Sequence, residues 1–162
     1  MKMNMNVTST KRGDIDAVMG TAIFPFTKKE LWDRANHPYK FAPHCINLDD
    51  FSTDPTLKAG NKIEEIHSFF GWKQKYVGAV KSMIDQKVWS MHTHPVGWGP
   101  FPLPHFVEYS FNEVSRDSSQ LSIRCEYKAG GLLSLPIARN VVRKIMQRAV
   151  GKLLIVPEMS SV

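Results

Sequence analysis

The chain has 162 residues, is 43% hydrophobic and carries a formal charge of +6. That length suits one domain with a real core, and no run approaches the roughly 20 apolar residues a membrane span needs. The 21 Lys and Arg residues are scattered, with no aromatic-interleaved stripe and no nucleic-acid motif, so nucleic acid is not an expected partner.

Residues 1–13 are polar and lack the apolar core of a signal peptide. They read as a flexible tail before a single domain over 14–157, and a cytoplasmic location is expected. From Asp14 to Phe26, Ile15, Ala17 and Met19 alternate with Asp16, Val18 and Gly20, which predicts a first strand. Thr27 and Glu30 have the spacing of a capping box opening a short helix through Leu31, Trp32 and Ala35. Pro38 to His44 predicts one more helical turn, presenting Tyr39 and Phe41. Strands two to five are expected over 45–51, 61–70, 71–84 and 87–93, separated by Gly, Pro and Asp turns.

Residues 95–104 hold four prolines and two glycines, which neither a helix nor a central strand accepts. The segment also carries Trp98, Phe101 and Leu103, and loops are usually polar. It packs either on the domain's own core or across a pocket mouth. Strand six is expected over 105–114. Strand seven, 120–128, has the cleanest alternation, with Leu121, Ile123, Cys125 and Tyr127 on the inward side. Cys45 and Cys125 stand far apart among apolar neighbours, so buried thiols are expected rather than a disulfide or a catalytic thiol.

The last third predicts a long helix over 134–154. Ser134 is its expected N-cap, Pro136 lies in its first turn, and Pro157 is its expected stop. Ile137, Ala138, Val141, Val142, Ile145, Met146, Ala149 and Leu153 span an arc of roughly 140°, the width of a core-facing stripe. Arg139, Arg143 and Lys144 fall outside it. The face they form is solvated, or it makes weak contact with an anionic membrane. The apolar side carries no Trp or Phe of the kind membrane-sensing helices use.

The order strand, short helix pair, six strands, long helix resembles the START-like, Bet v 1-like or polyketide cyclase-like family. Phe26 to Trp32 looks like that family's entry to its first helix, and Tyr39 to Pro43 like its second. Leu57 to Gly60 before Ile63 looks like its turn into strand three, and Glu126 to Gly131 like its last strand running into the helix. The resemblance implies an α+β helix-grip fold: a seven-stranded curved antiparallel sheet around the C-terminal helix, with two short helices between strands 1 and 2. It also implies a cavity between sheet and helix that takes hydrophobic molecules.

Expected wall residues are Tyr39, Phe41, Tyr76, Trp89, Met91, Trp98, Phe101, Tyr109, Tyr127, Val142 and Met146. The first functional expectation is binding of a hydrophobic small molecule or lipid. The alternative is a cyclase- or dehydratase-type enzyme acting on an aromatic or polyketide-like substrate. It would move protons with two or more of Glu65, His67, Tyr76, His105 and Tyr109, provided they converge in one cavity. His92 and His94 share a strand face, so both rings could reach one metal, with a third ligand from His67, His105 or His44. If Trp89 and Met91 face inward, those two histidines face out, and neither metal nor cofactor is expected. No phosphate-binding Gly loop, Gly-x-Ser-x-Gly, Cys-x-x-Cys or His-Glu-x-x-His is present.

Overall fold

Alternation of apolar and polar residues builds the strand at the centre of the packing. In β8 (Ser118–Lys128), Leu121, Ile123, Cys125 and Tyr127 are buried on one face. It lies between β2 (Ile15–Phe24) and β7 (His105–Ser115). The computed structural model describes residues 5–69, 71–100 and 102–159. It adds β1 (Met5–Arg12), β3 (Leu48–Thr53), β4 (Lys62–Phe69), β5 (Trp72–Ile84) and β6 (Val88–Pro95). The result is one open antiparallel sheet in the order β1-β2-β8-β7-β6-β5-β4-β3.

The sheet therefore has eight strands, not seven. The extra one is β1, in the segment read as a tail. Residues 5–12 are too polar to signal a strand, but every residue from Met5 to Arg12 pairs with β2. Val7 packs on the core, and Ser9 accepts a hydrogen bond from Gln147 at 3.1 Å.

The capping box forms as expected. Glu30 N–H donates to the Thr27 hydroxyl and the Thr27 N–H to the Glu30 carboxylate, opening α1 (Lys28–Ala35). α2 (Pro38–Phe41) and a 3₁₀ turn over Ala42–His44 follow, so the short helices sit between β2 and β3. At its C-terminal end α1 is pinned to the sheet: the Trp89 indole N–H of β6 donates to the Ala35 carbonyl at 2.8 Å.

The long helix, α3 (Pro136–Leu153), lies over β1, β2 and β8. Gly20 of β2 allows that approach, since a Cβ there would sit 2.6 Å from Val150 and 2.7 Å from Leu154. Three details of the helix differ from expectation. Ser134 is not its N-cap: that hydroxyl donates to the Gly131 carbonyl within a preceding 3₁₀ turn, and Leu135 caps without a side-chain bond. Pro157 does not end α3, which stops at Leu153; the proline lies in a further turn, α4 (Val156–Met159). Ile137 and Val141 are exposed, Ile137 by 84%, whereas Arg139 turns inward. The cause is Asp16, fully buried on β2, whose carboxylate lies 2.6 Å from the Arg139 Nε. A buried charge must be paired, and this one rotates the first turns of the helix away from the apolar arc. Among the described residues, no helix is long and apolar enough to cross a membrane.

Candidate functional site

β4 points Glu65 and His67 to the same side because residues two apart share a strand face. Their neighbours on the other face, Glu64 among them, meet Lys62 and Lys75 in solvent. Cross-strand pairing then assembles the rest. Glu65 lies opposite Tyr76 of β5, Gly78 opposite Thr93 of β6, and Thr93 opposite His105 of β7. Close passage of β5 and β6 at this point requires glycine: a Cβ on Gly78 would stand 1.9 Å from the His92 carbonyl oxygen.

Ionisable and hydroxyl side chains from four strands, β4 to β7, meet where these rows cross. Glu65 Oε2 lies 3.2 Å from His105 Nε2 and 3.6 Å from His67 Nε2. Thr93 Oγ1 donates to Glu65 Oε2 at 2.9 Å and lies 3.1 Å from His105 Nε2. The Pro-rich loop latches the group from above. Leu103 N–H donates to the Tyr76 hydroxyl at 3.2 Å, and the His105 Nδ1–H donates to the Leu103 carbonyl at 2.9 Å. The rings of His67, Tyr76 and His105 contact one another with centroids 5.2–5.7 Å apart.

Burial works against the charged form of Glu65, yet the neighbouring imidazoles, His105 foremost and then His67, hold its carboxyl well below the usual carboxylate range. Burial likewise disfavours a charged His105, but the Glu65 charge outweighs it and raises the imidazole above its ordinary value. Burial pushes the Tyr76 hydroxyl up to about 12. Burial also takes Tyr109 well above the ordinary phenol value.

The cluster forms one end of a partly open cavity of about 110 Å³. The remaining wall is mostly apolar: Ile46, Leu48, Met91, Val107 and Ile123 from the sheet side, Ile145, Met146, Ala149 and Val150 from α3. All five acid–base candidates, Glu65, His67, Tyr76, His105 and Tyr109, line this one space.

Of the expected wall residues, Tyr76, Met91, Tyr109 and Met146 also line it, and several others do not. Tyr39 is 42% exposed, and its hydroxyl instead bridges the Thr53 carbonyl (2.8 Å) and N–H (3.1 Å) of the edge strand β3. Phe41 and Trp89 are buried behind the wall, packed on Tyr109. Tyr127 and Val142 are buried but do not reach the space. Trp98 is 88% exposed on the loop's outer side, and Phe101 lies outside the described residues.

His92 and His94 are exposed on the outer face of β6, ring centroids 6.4 Å apart, while Thr93 between them turns in. The residues that could hold a cation are Glu65, His67 and His105. Their ligand atoms all lie within 4.8 Å of one another, the one such group among the described residues.

Sequence reasoning missed Thr93, Leu103, Cys45 and Asn47 as members of the site. The alternation about Thr93 placed it opposite the two histidines, which was the available signal. Both thiols are free, Cys125 buried and Cys45 half-buried at the cavity wall, and desolvation pushes each up to about 12. At pH 8 such a thiol is ionised to about one part in 10,000. Iodoacetamide is therefore expected to leave both unmodified over hours in the native protein and to alkylate both promptly in urea. Prompt labelling of the native chain, followed by mass spectrometry, would contradict this burial.

No protein-family model matches the sequence, and no curated protein matches it. Solved structures do match it in shape. A protein from Thermus thermophilus has a TM-score of 0.65 at 15% identity, covering 88% of this chain and 94% of that one. The Zhui aromatase/cyclase from a Streptomyces species has 0.57 at 9%, covering 88% of each. Ara h 8.0201 has 0.55 at 10%, covering 90% of this chain and 99% of its own. At such identities the likeness concerns the fold.

Proposed function

We propose, on the premise that this chain has the helix-grip fold of the START-like, Bet v 1-like and polyketide cyclase-like proteins, that it binds one small hydrophobic molecule bearing a polar group. The observation that carries this reading is an apolar cavity closed at one end by a buried carboxylate between two imidazoles. Apolar walls supply affinity and a few convergent polar groups supply orientation. His67 Nε2, beside the cavity, is buried without a hydrogen-bond partner among the described residues, within reach of a ligand's polar group. The size of the space bears on the ligand. About 110 Å³ is the scale of a single aromatic ring or short aliphatic chain, since an engineered apolar cavity of about 150 Å³ takes benzene. A polycyclic substrate does not fit this conformation.

The test uses Ala149→Phe, which fills the cavity from α3. Phenol, a single ring bearing one hydroxyl, is expected to bind the wild-type chain saturably by isothermal titration calorimetry and to lose at least about tenfold in affinity in the variant, the loss of one or more good apolar contacts. Native mass spectrometry of the purified chain gives a second readout. Equal binding by both proteins, with unchanged thermal melts, would place the ligand elsewhere and sink the reading.

Convergence of the five titratable groups favours a second reading, an enzyme of the cyclase or dehydratase type. In it an imidazole accepts a proton from carbon, and the His105 imidazolium, favoured by the Glu65 charge, gives one to oxygen. The reading predicts deuterium exchange into a small cyclic ketone in D₂O, abolished by Glu65→Gln. Exchange unaffected by that change would remove it.

A further inference from the structure

We propose that Glu65, His67 and His105 form a binding site for one divalent transition-metal ion, with its open coordination positions facing the cavity. The inference deepens the binding role proposed for that cavity, in that the metal would meet the ligand's polar group. The site itself depends only on the three side chains.

Four observations support it. The donor set is two imidazole nitrogens and one carboxylate oxygen, which suits zinc with a free position or iron(II), and does not suit calcium or magnesium. The geometry is close: bonds of roughly 2.1 Å hold neighbouring ligand atoms roughly 3.0–3.4 Å apart, and Glu65 Oε2 is already 3.2 Å and 3.6 Å from the two Nε2 atoms. The tautomer is arranged: His105 spends its Nδ1–H on the Leu103 carbonyl at 2.9 Å, which leaves the Nε2 lone pair for a metal. A backbone carbonyl behind a ligating histidine is the usual outer partner. The Thr93 hydroxyl fills the same role for the carboxylate, donating to Glu65 Oε2 at 2.9 Å.

The fourth observation separates this from a plain ion pair. A Glu65–His105 pair accounts for His105 but leaves His67 Nε2 buried 3.6 Å from Glu65 Oε2, in ion-pair range yet without a hydrogen bond among the described residues. A metal bonded to all three atoms satisfies that nitrogen, the ligand atoms, now all within 4.8 Å of one another, drawing together around it. The exposed His92 and His94 offer no third ligand and serve as the internal control.

The experiment strips the full chain with a chelator, dialyses it, and titrates cobalt(II) by visible absorption, followed by zinc competition. One cobalt per chain is expected to bind saturably. His67→Ala and Glu65→Gln are each expected to weaken binding at least about 100-fold, beyond the loss typical of an outer-shell partner. The double variant His92→Ala/His94→Ala is expected to titrate like wild type. In wild type, imidazole proton resonances of His67 and His105 are expected to shift on zinc addition while those of His92 and His94 stay, which decides the matter even where a variant fails to fold. A wild-type titration without saturation, or binding that follows His92 and His94, overturns the proposal. Phenol binding to the stripped protein reports on the cavity separately: its survival without metal binding overturns the metal site and leaves the ligand reading standing.

Discussion

Trp89→Ala is expected to destabilise the protein by about 4 kcal/mol, within the range for deleting a buried Trp. The indole is 1% exposed, lies parallel to Tyr109 with ring centroids 4.0 Å apart, and touches Phe41 at 5.9 Å. Its removal leaves a cavity behind the functional wall and strips the Ala35 carbonyl of the N–H that holds the end of α1. Trp89→Phe keeps one six-membered ring but loses that bond and the rest of the indole volume, so it is expected to cost about 2–3 kcal/mol. Urea denaturation separates the two, and the alanine variant should melt lower by roughly 8–16 °C for a chain of this size. Because the ring stands behind the cavity and does not line it, Trp89→Phe should bind phenol as wild type does. An alanine variant within about 1 kcal/mol of wild type would contradict the docking of α1 described here.

Arg139→Ala is expected to cost about 3 kcal/mol, at the low end for breaking a buried pair because the arginine keeps some solvent contact. Asp16 is fully buried, its Oδ2 held 2.6 Å from the Arg139 Nε, which is itself mostly buried. Among the described residues its Oδ1 has no hydrogen-bond partner, nor has the neighbouring Tyr127 hydroxyl, so little else there stabilises the carboxylate. The penalty arises from the charge left behind, not from the pair's own strength. The double variant Asp16→Leu/Arg139→Leu is therefore expected to recover most of the loss, since apolar replacement of a buried pair is often neutral or better. A double-mutant cycle by denaturant titration gives the coupling. An Arg139→Ala protein as stable as wild type, or a double variant worse than the single, would refute the pairing as the anchor of the helix start.

The two cases differ in how far the amino-acid order foretells them. Trp89 was legible as an inward residue of strand five, because Trp, Met and Thr at positions 89, 91 and 93 occupy one face of a strand. That it would hydrogen-bond a helix 54 residues earlier was not, since the partner carbonyl is common to every residue. Arg139 was read as solvent-facing, because helical periodicity sorts residues by hydrophobicity and does not know that Asp16 waits on the sheet. Tyr39 went wrong for a related reason. An aromatic ring reads as core, but its hydroxyl found the unpaired backbone of the edge strand β3.

Local order settled what depends on near neighbours: the period-two strands, the Thr27–Glu30 capping box, the long C-terminal helix and the turns between them. These features arise from forces acting over a few residues, so short stretches of chain carry them. The candidate acid–base residues were also visible as polar groups within strands. Their meeting in one space was not, because it depends on the register of β4, β5, β6 and β7, and hydrogen bonding between strands leaves that register free until side chains from distant segments pack. β1 is a hairpin partner of β2 across Gly13 and Asp14, local in the chain, but its polar residues conceal it until Val7 packs on the core. Only the folded chain brings Glu65 and His67 to Thr93 and His105, because these are contacts between strands that the sequence separates and the core unites.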